Sequence, residues 1–167
     1  MTVAQMLFLG GFAIVLVAVL AFGVLVVAAA SRNVGDSVVV TEVVRRLGRA
    51  PADRLEAGRW AFYAHRIGGV AIFAFLVLHL GDVALYAVSG SLYDDVHALY
   101  GSPPLRVFES ALLLAILFHA FNGLRLLAID LTDVGPRTAH RLLLATAGLT
   151  GVIWLAGSVV ILAPIVG

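Results

Sequence analysis

Three histidines stand in or at the start of long apolar runs: His65 and His79 in FYAHRIGGVAIFAFLVLHLGDVALYAV, and His119 in PLRVFESALLLAILFHAFNGLRLLAID. An ionisable side chain within lipid is costly, so one found there needs a partner and has a functional role by default. The chain has no cysteine, which removes disulfides, thiolate metal sites, iron–sulfur clusters and covalent c-type haem attachment. A redox centre held by this chain is therefore held by imidazole. In a lipid-buried helix bundle, imidazole points to haem iron before any other metal.

Residues four apart share a helix face, so Gly123 leaves a patch without a side chain beside His119, where the edge of a porphyrin fits. Arg125 can pair with a haem propionate, and Asn122 adds a polar group on the same side. The alternative for His119 is a hydrogen bond to a neighbouring helix. His79 lies fourteen residues beyond His65, about 21 Å deeper along the helix, and His119 lies about 21 Å from the start of its own helix at Leu105. His79 and His119 are then at different levels and cannot share one iron. Either each meets a histidine of another chain, giving two haems, or one of them is structural. The same reckoning finds no second imidazole in this chain at the depth of His119. Asp82, one turn from His79, can orient its second ring nitrogen. His65 and Arg66 open their helix either as interfacial anchors or as groups that hold a propionate or polarise a quinone carbonyl. His97 and His140 carry no assigned role.

These side chains need a membrane scaffold to position them. Of 167 residues, 62% are apolar and 13% charged, with a mean hydropathy of +1.06. That composition belongs to a polytopic, all-α membrane protein. Apolar runs of the ~20 residues needed to span lie at 2–31, 67–88, 107–124 (interrupted by Glu109) and 142–167. The chain divides into an N-terminal transmembrane helix (1–31), a basic segment (32–59) and a three-helix domain (60–167). Too few polar residues remain for a soluble catalytic domain, and no GxGxxG or P-loop pattern occurs. The eleven basic residues are all arginines near helix ends, so the net charge of +1 does not point to nucleic acid.

No Lys or Arg precedes residue 32, so the first helix reads as a retained span rather than a signal peptide. The positive-inside rule puts the N-terminus outside and the basic stretch 32–66 in the cytoplasm, with the chain multi-pass in the cell membrane. SVVVTEVVRRLGR at 37–49 has the spacing of a short interfacial amphipathic helix, either a docking surface or a solvated linker. Ser102 and Pro103 form an N-cap and first-turn pair, and Glu109 is placed to neutralise Arg106. Ala147, Gly151 and Ser158, or Gly148 and Gly157, give the last helix a small-residue face for close packing.

The stretches HRIGG (65–69), LHLGD (78–82), SLYDDVHALYGSP (91–103) and, above all, FHAFNGLRLLAID (118–130) resemble the cytochrome b membrane-anchor subunit of succinate dehydrogenase (complex II). The resemblance covers about residues 60 to 165 and leaves the first 59 unexplained. It implies a three-helix anchor with His119 as axial haem b ligand and Arg66 at the quinone site and haem propionates. It also implies His65 as the neighbouring histidine and Asp130 as the aspartate that ends the haem helix. Phe62, Gly68 and Leu126 depart from residues common in that family. His79 resembles the pattern of two-haem members. Implied partners are a flavoprotein subunit, an iron–sulfur subunit and a second small membrane subunit that supplies the other haem ligand. The activity implied is electron transfer from succinate through haem b, one or two per complex, to membrane quinone. The alternatives are fumarate reduction, service to another respiratory dehydrogenase, or a structural anchor without haem.

Overall fold

The computed structural model describes residues 1–32, 54–132 and 134–166. Its elements are five helices, which we number α1 (Val3–Arg32), α2 (Arg54–Val88), α3 (Gly90–His97), α4 (Pro103–Leu131) and α5 (Pro136–Val166); there is no strand among the described residues. The amphipathic helix expected at 37–49 lies outside them. Four of the helices, α1, α2, α4 and α5, are long and apolar enough to cross a membrane. Their outward faces carry exposed large apolar side chains such as Leu7, Phe73, Leu124 and Val160, as expected of a bundle whose solvent is lipid.

Three boundaries differ from the sequence reading. The second span begins at Arg54 rather than near Trp60, because RLEAGR has good helix formers that continue the helix past the apolar run. The fourth begins at Pro136 rather than Leu142; proline suits a first helical turn, where its missing N–H costs nothing. The polar bend between the second and third spans contains the short helix α3. It turns Val96 into the bundle, where it is 1% exposed. Ser102 does sit at the N-cap of α4 with Pro103 following, although its hydroxyl makes no capping bond.

Helices α4 and α5 are antiparallel neighbours joined by polar contacts that a lipid environment favours. The Ser110 and Ser158 hydroxyls are 2.7 Å apart, and the Trp154 indole donates to the Ser110 carbonyl at 3.0 Å. Gly157 makes room for Leu113, since a Cβ there would stand 2.5 Å from Leu113 Cδ2. Of the small residues on α5, Gly157 and Ser158 thus line the internal seam, whereas Ala147 and Gly148 face outward. Arg106 is satisfied by the carbonyls of Gly101 (3.3 Å) and Ile161 (3.1 Å), which replaces the expected pairing with Glu109. On the other side, α1 packs on α2 and α3. Phe12 meets Phe108 edge-on at 4.7 Å, and the Gln5 side-chain amide donates to the Asp95 carbonyl at 2.8 Å.

Candidate functional site

His119 and His65 meet where α4 crosses α2. His65 lies eleven residues from Arg54 at the start of α2, and His119 twelve residues from Leu131 at the end of α4. Because the two helices run in opposite directions, these near-equal offsets bring the side chains level. Their rings stack with centroids 3.9 Å apart and planes 3° from parallel. His65 is therefore an imidazole at the depth of His119, contrary to the expectation that this chain offers none. The ring lone pairs lie in the imidazole plane, so two stacked rings cannot point at one iron from opposite sides. His65 in this arrangement is a neighbour of His119 and not its opposing ligand.

A second contact fixes the His119 ring. Its Nδ1 lies 3.0 Å from the backbone carbonyl oxygen of His65. A carbonyl can only accept, so Nδ1 carries the hydrogen and donates. In the neutral ring this leaves Nε2 with a free lone pair, the tautomer a metal ligand needs. Gly69 makes the contact possible. In a helix the His65 carbonyl already accepts from the N–H four residues on, and the side chain at that position would cover it. A Cβ on Gly69 would stand 2.8 Å from His119 Cε1 and 3.2 Å from Nδ1. Gly69 was not singled out in the sequence; the signal was there in the paired glycines of HRIGG, one turn after His65. Gly123, read as leaving an open patch beside His119, instead faces His65, whose Cε1 would lie 3.6 Å from a Cβ there.

Next to the pair, Arg125 donates through a terminal guanidinium nitrogen to Asn122 Oδ1 at 2.7 Å. Asn122 is 1% exposed. Three buried nitrogens in this region have no partner: His65 Nδ1, Asn122 Nδ2 and Arg125 Nε. Unpaired buried polar groups each cost about 1–3 kcal/mol. Amide and guanidinium N–H groups are donors only, so what would satisfy them is an acceptor such as a carboxylate or a carbonyl oxygen. Asn122 was recognisable as an amide inside an apolar helix; its near-complete burial was not.

Arg66 points away from the pair. It is exposed, with its guanidinium carbon 4.2 Å over the Phe62 ring one turn back. His79 is not brought to His119 or His65. It is exposed on the surface of the chain and stacks on Phe75 at 5.6 Å. Asp82 does not orient it. That carboxylate is 5% exposed and lies near the Tyr100 phenol. Burial first, and then the nearby Asp82 carboxylate, raises the phenol well above its ordinary value, which keeps Tyr100 protonated. Asp130 is exposed at the end of α4. Among the described residues no three His, Asp or Glu side chains are grouped to hold a bare metal ion.

Residues 44–164 match the family model described as succinate dehydrogenase/fumarate reductase transmembrane subunit. The chain belongs to that family. It is 40% identical over 118 residues to the succinate dehydrogenase 2 membrane subunit SdhC of Mycobacterium tuberculosis, an alignment that takes in 69% of this chain and 79% of the relative. It is 32% identical over 101 residues to a succinate dehydrogenase hydrophobic membrane anchor subunit of Halobacterium salinarum, covering 60% of this chain and 77% of the relative. As a membrane subunit of the succinate dehydrogenase/fumarate reductase family, the chain works with partner subunits and in a membrane. The match spans α2 to α5 almost entirely and leaves α1 outside.

Proposed function

We propose that this succinate dehydrogenase/fumarate reductase subunit carries haem b on His119 and contributes Arg66 and His65 to a quinone site. It would pass electrons from flavin- and iron–sulfur-bearing subunits into the membrane. The observation that carries this reading is the Nδ1–carbonyl contact, which orients the His119 ring and leaves Nε2 free. A backbone carbonyl on the second ring nitrogen is the usual companion of a ligating histidine.

The donor set fits the group. His119 would supply one axial nitrogen; Arg125 and Asn122, with N–H groups still unpaired, would hold a propionate carboxylate. When bound, the haem supplies one-electron storage between two-electron partners. Arg66 is a permanently charged donor on an exposed face, and its task would be to polarise a quinone carbonyl. His65, with an unpaired buried Nδ1, would hold or deliver a proton on the side of the helix that faces His119. A second small membrane subunit would supply the other haem ligand, because His65 is stacked flat against His119. His79 faces outward, which favours a second haem shared with another chain over a purely internal role. The arginine-rich end, 32–66, would face the cytoplasm of a cell whose inner membrane holds the complex, in keeping with the positive-inside rule.

The test is haem stoichiometry in the purified complex. His119→Ala is expected to lose one haem, and His79→Ala to lose the other while leaving the first. A full complement in the His119 variant refutes the assignment; a full complement in the His79 variant reduces the count to one.

A further inference from the structure

Helix α5 opens on PRTAHR, which places Arg137 and Arg141 four residues apart on one face. Both are exposed, and neither guanidinium has a hydrogen-bond or ion-pair partner among the described residues. Like charges at this spacing repel, and no acidic residue stands in the first turn to offset them. The uncharged run of α5 begins at Leu142. At a rise of about 1.5 Å per residue, Arg141 lies about 1.5 Å and Arg137 about 7.5 Å before it. That is the depth of the headgroup layer, roughly 5–7 Å on each side of the hydrocarbon core.

Below the arginines the same face continues without a polar side chain. Leu144, Gly148 and Val152 follow at steps of three and four residues, and all are exposed. From Leu142 to Val152 the helix rises about 15 Å, which is one leaflet of a core ~30 Å thick. Gly148 leaves a notch in this stripe, for a Cβ placed there meets nothing within 4 Å.

We propose that this face of α5 binds one anionic phospholipid. Its phosphate lies between the Arg137 and Arg141 guanidiniums, and an acyl chain runs over Leu144 and Val152 and into the notch at Gly148. Charge selects the occupant. A zwitterionic lipid brings its own cation to two arginines that already lack a counter-charge, whereas a net-negative headgroup meets both of them at the depth where they stand. An acidic protein segment outside the membrane reaches the arginines and not the stripe beneath them. The site lies on a different helix from His65, Arg66 and His119 and does not depend on haem or quinone chemistry there.

The experiment uses the assembled complex in phosphatidylcholine nanodiscs. These carry a trace of phosphatidylglycerol with a diazirine midway along one acyl chain, or a trace of phosphatidylcholine bearing the same group. Light cross-links the probe, and peptide mass spectrometry maps it. Phosphatidylglycerol is expected to label α5 around Gly148–Val152 at least about fivefold more than phosphatidylcholine, the factor that one arginine contributes toward an anionic lipid. Arg137→Gln combined with Arg141→Gln should bring the two probes level. Arg137→Lys combined with Arg141→Lys should keep most of the preference, because lysine retains the charge and still binds phosphate. If the glutamine pair fails to assemble, each single glutamine replacement should still lower the preference. Equal labelling by the two probes in the unmodified complex, no labelling of α5 by either, a preference that survives the glutamine replacements, or its loss on adding soluble glycerophosphate at constant ionic strength overturns the proposal. Haem content and dye-linked succinate oxidation, measured alongside, should be unchanged in the glutamine pair, so that failure here is separate from failure at His119.

Discussion

Two adjacent glycines allow a sharp test of how the His119 ring is held. A methyl group at Gly69 would stand 2.8 Å from His119 Cε1 and 3.2 Å from Nδ1, whereas one at Gly68 would meet the Ala115 carbonyl oxygen at 3.7 Å and the Ala115 Cβ at 4.0 Å. Carbon atoms rest about 3.5–4.0 Å apart, so Gly69→Ala must push the ring away by about 0.7 Å or more. Added to the 3.0 Å Nδ1–carbonyl distance, that displacement passes the limit at which a hydrogen bond persists. The loss is about 1 kcal/mol for the bond, plus the ~1–3 kcal/mol typical of overpacking, against a helix-propensity gain of ~1 kcal/mol from alanine. Gly68→Ala has that gain and only ordinary contacts. The expected result is a Gly68→Ala complex with normal or slightly raised thermal stability and normal haem. Gly69→Ala should be less stable by ~1–2 kcal/mol and bind haem ~10–100-fold more weakly, as ligand-orienting changes typically do. Haem per complex, denaturation temperature and the low-spin electron paramagnetic resonance spectrum read these outcomes. An unchanged spectrum and haem content in Gly69→Ala would refute the claim that the carbonyl orients the His119 ring as the proposed haem ligand.

Arg66→Leu should lower quinone-dependent turnover ~100-fold or more, as loss of a charge-stabilising donor does, while succinate oxidation with a soluble dye stays near normal; equal loss in both assays would indicate failed assembly. Gly157→Leu should destabilise the α4–α5 seam by ~1–3 kcal/mol, because a Cβ already meets Leu113 Cδ2 at 2.5 Å, and a thermal melt no lower than that of the unmodified complex would contradict the packing. The Tyr100 phenol is raised above its ordinary value of about 10 by burial and by Asp82, so the stabilisation it carries is complete below about pH 10 and fades as pH rises toward the folded value. Tyr100→Phe should therefore flatten the alkaline arm of the stability profile; an unaltered arm in that variant would assign the alkaline loss to another group.

The four spans were legible because a bilayer core demands about twenty apolar residues in a row, a length of uninterrupted apolar chain that soluble cores seldom use. The histidines were legible by type, since ionisable groups are rare at such positions. Their arrangement was less so. Depth along α4 was counted from Leu105, and the matching count along α2 needed its start, which lies at Arg54 and is hidden by the polar turn RLEAGR. With that end misplaced, His65 was read as a boundary residue rather than the level neighbour of His119. The helix α3 was hidden by its composition: SGSLYDDVH reads as a bend, and only the burial of Val96 against the bundle makes a helix there worthwhile. Asp82 was seen as a partner for His79 from spacing alone, but Asp82 is buried against α1 with Tyr100 while His79 faces outward, which no single-helix pattern can show.

The group that steadies His119 belongs to the main chain of α2, and a main-chain oxygen survives replacement of the side chain it is numbered with. Position 65 can therefore change its side chain, and with it any proton handling, while the orientation of the ring on α4 is kept. Position 69 has no such freedom. Drift at 65 and constancy at 69 would leave the His119 ring oriented as it is while altering the group stacked against it, so orientation of the ring and the chemistry beside it can diverge along this helix one turn apart.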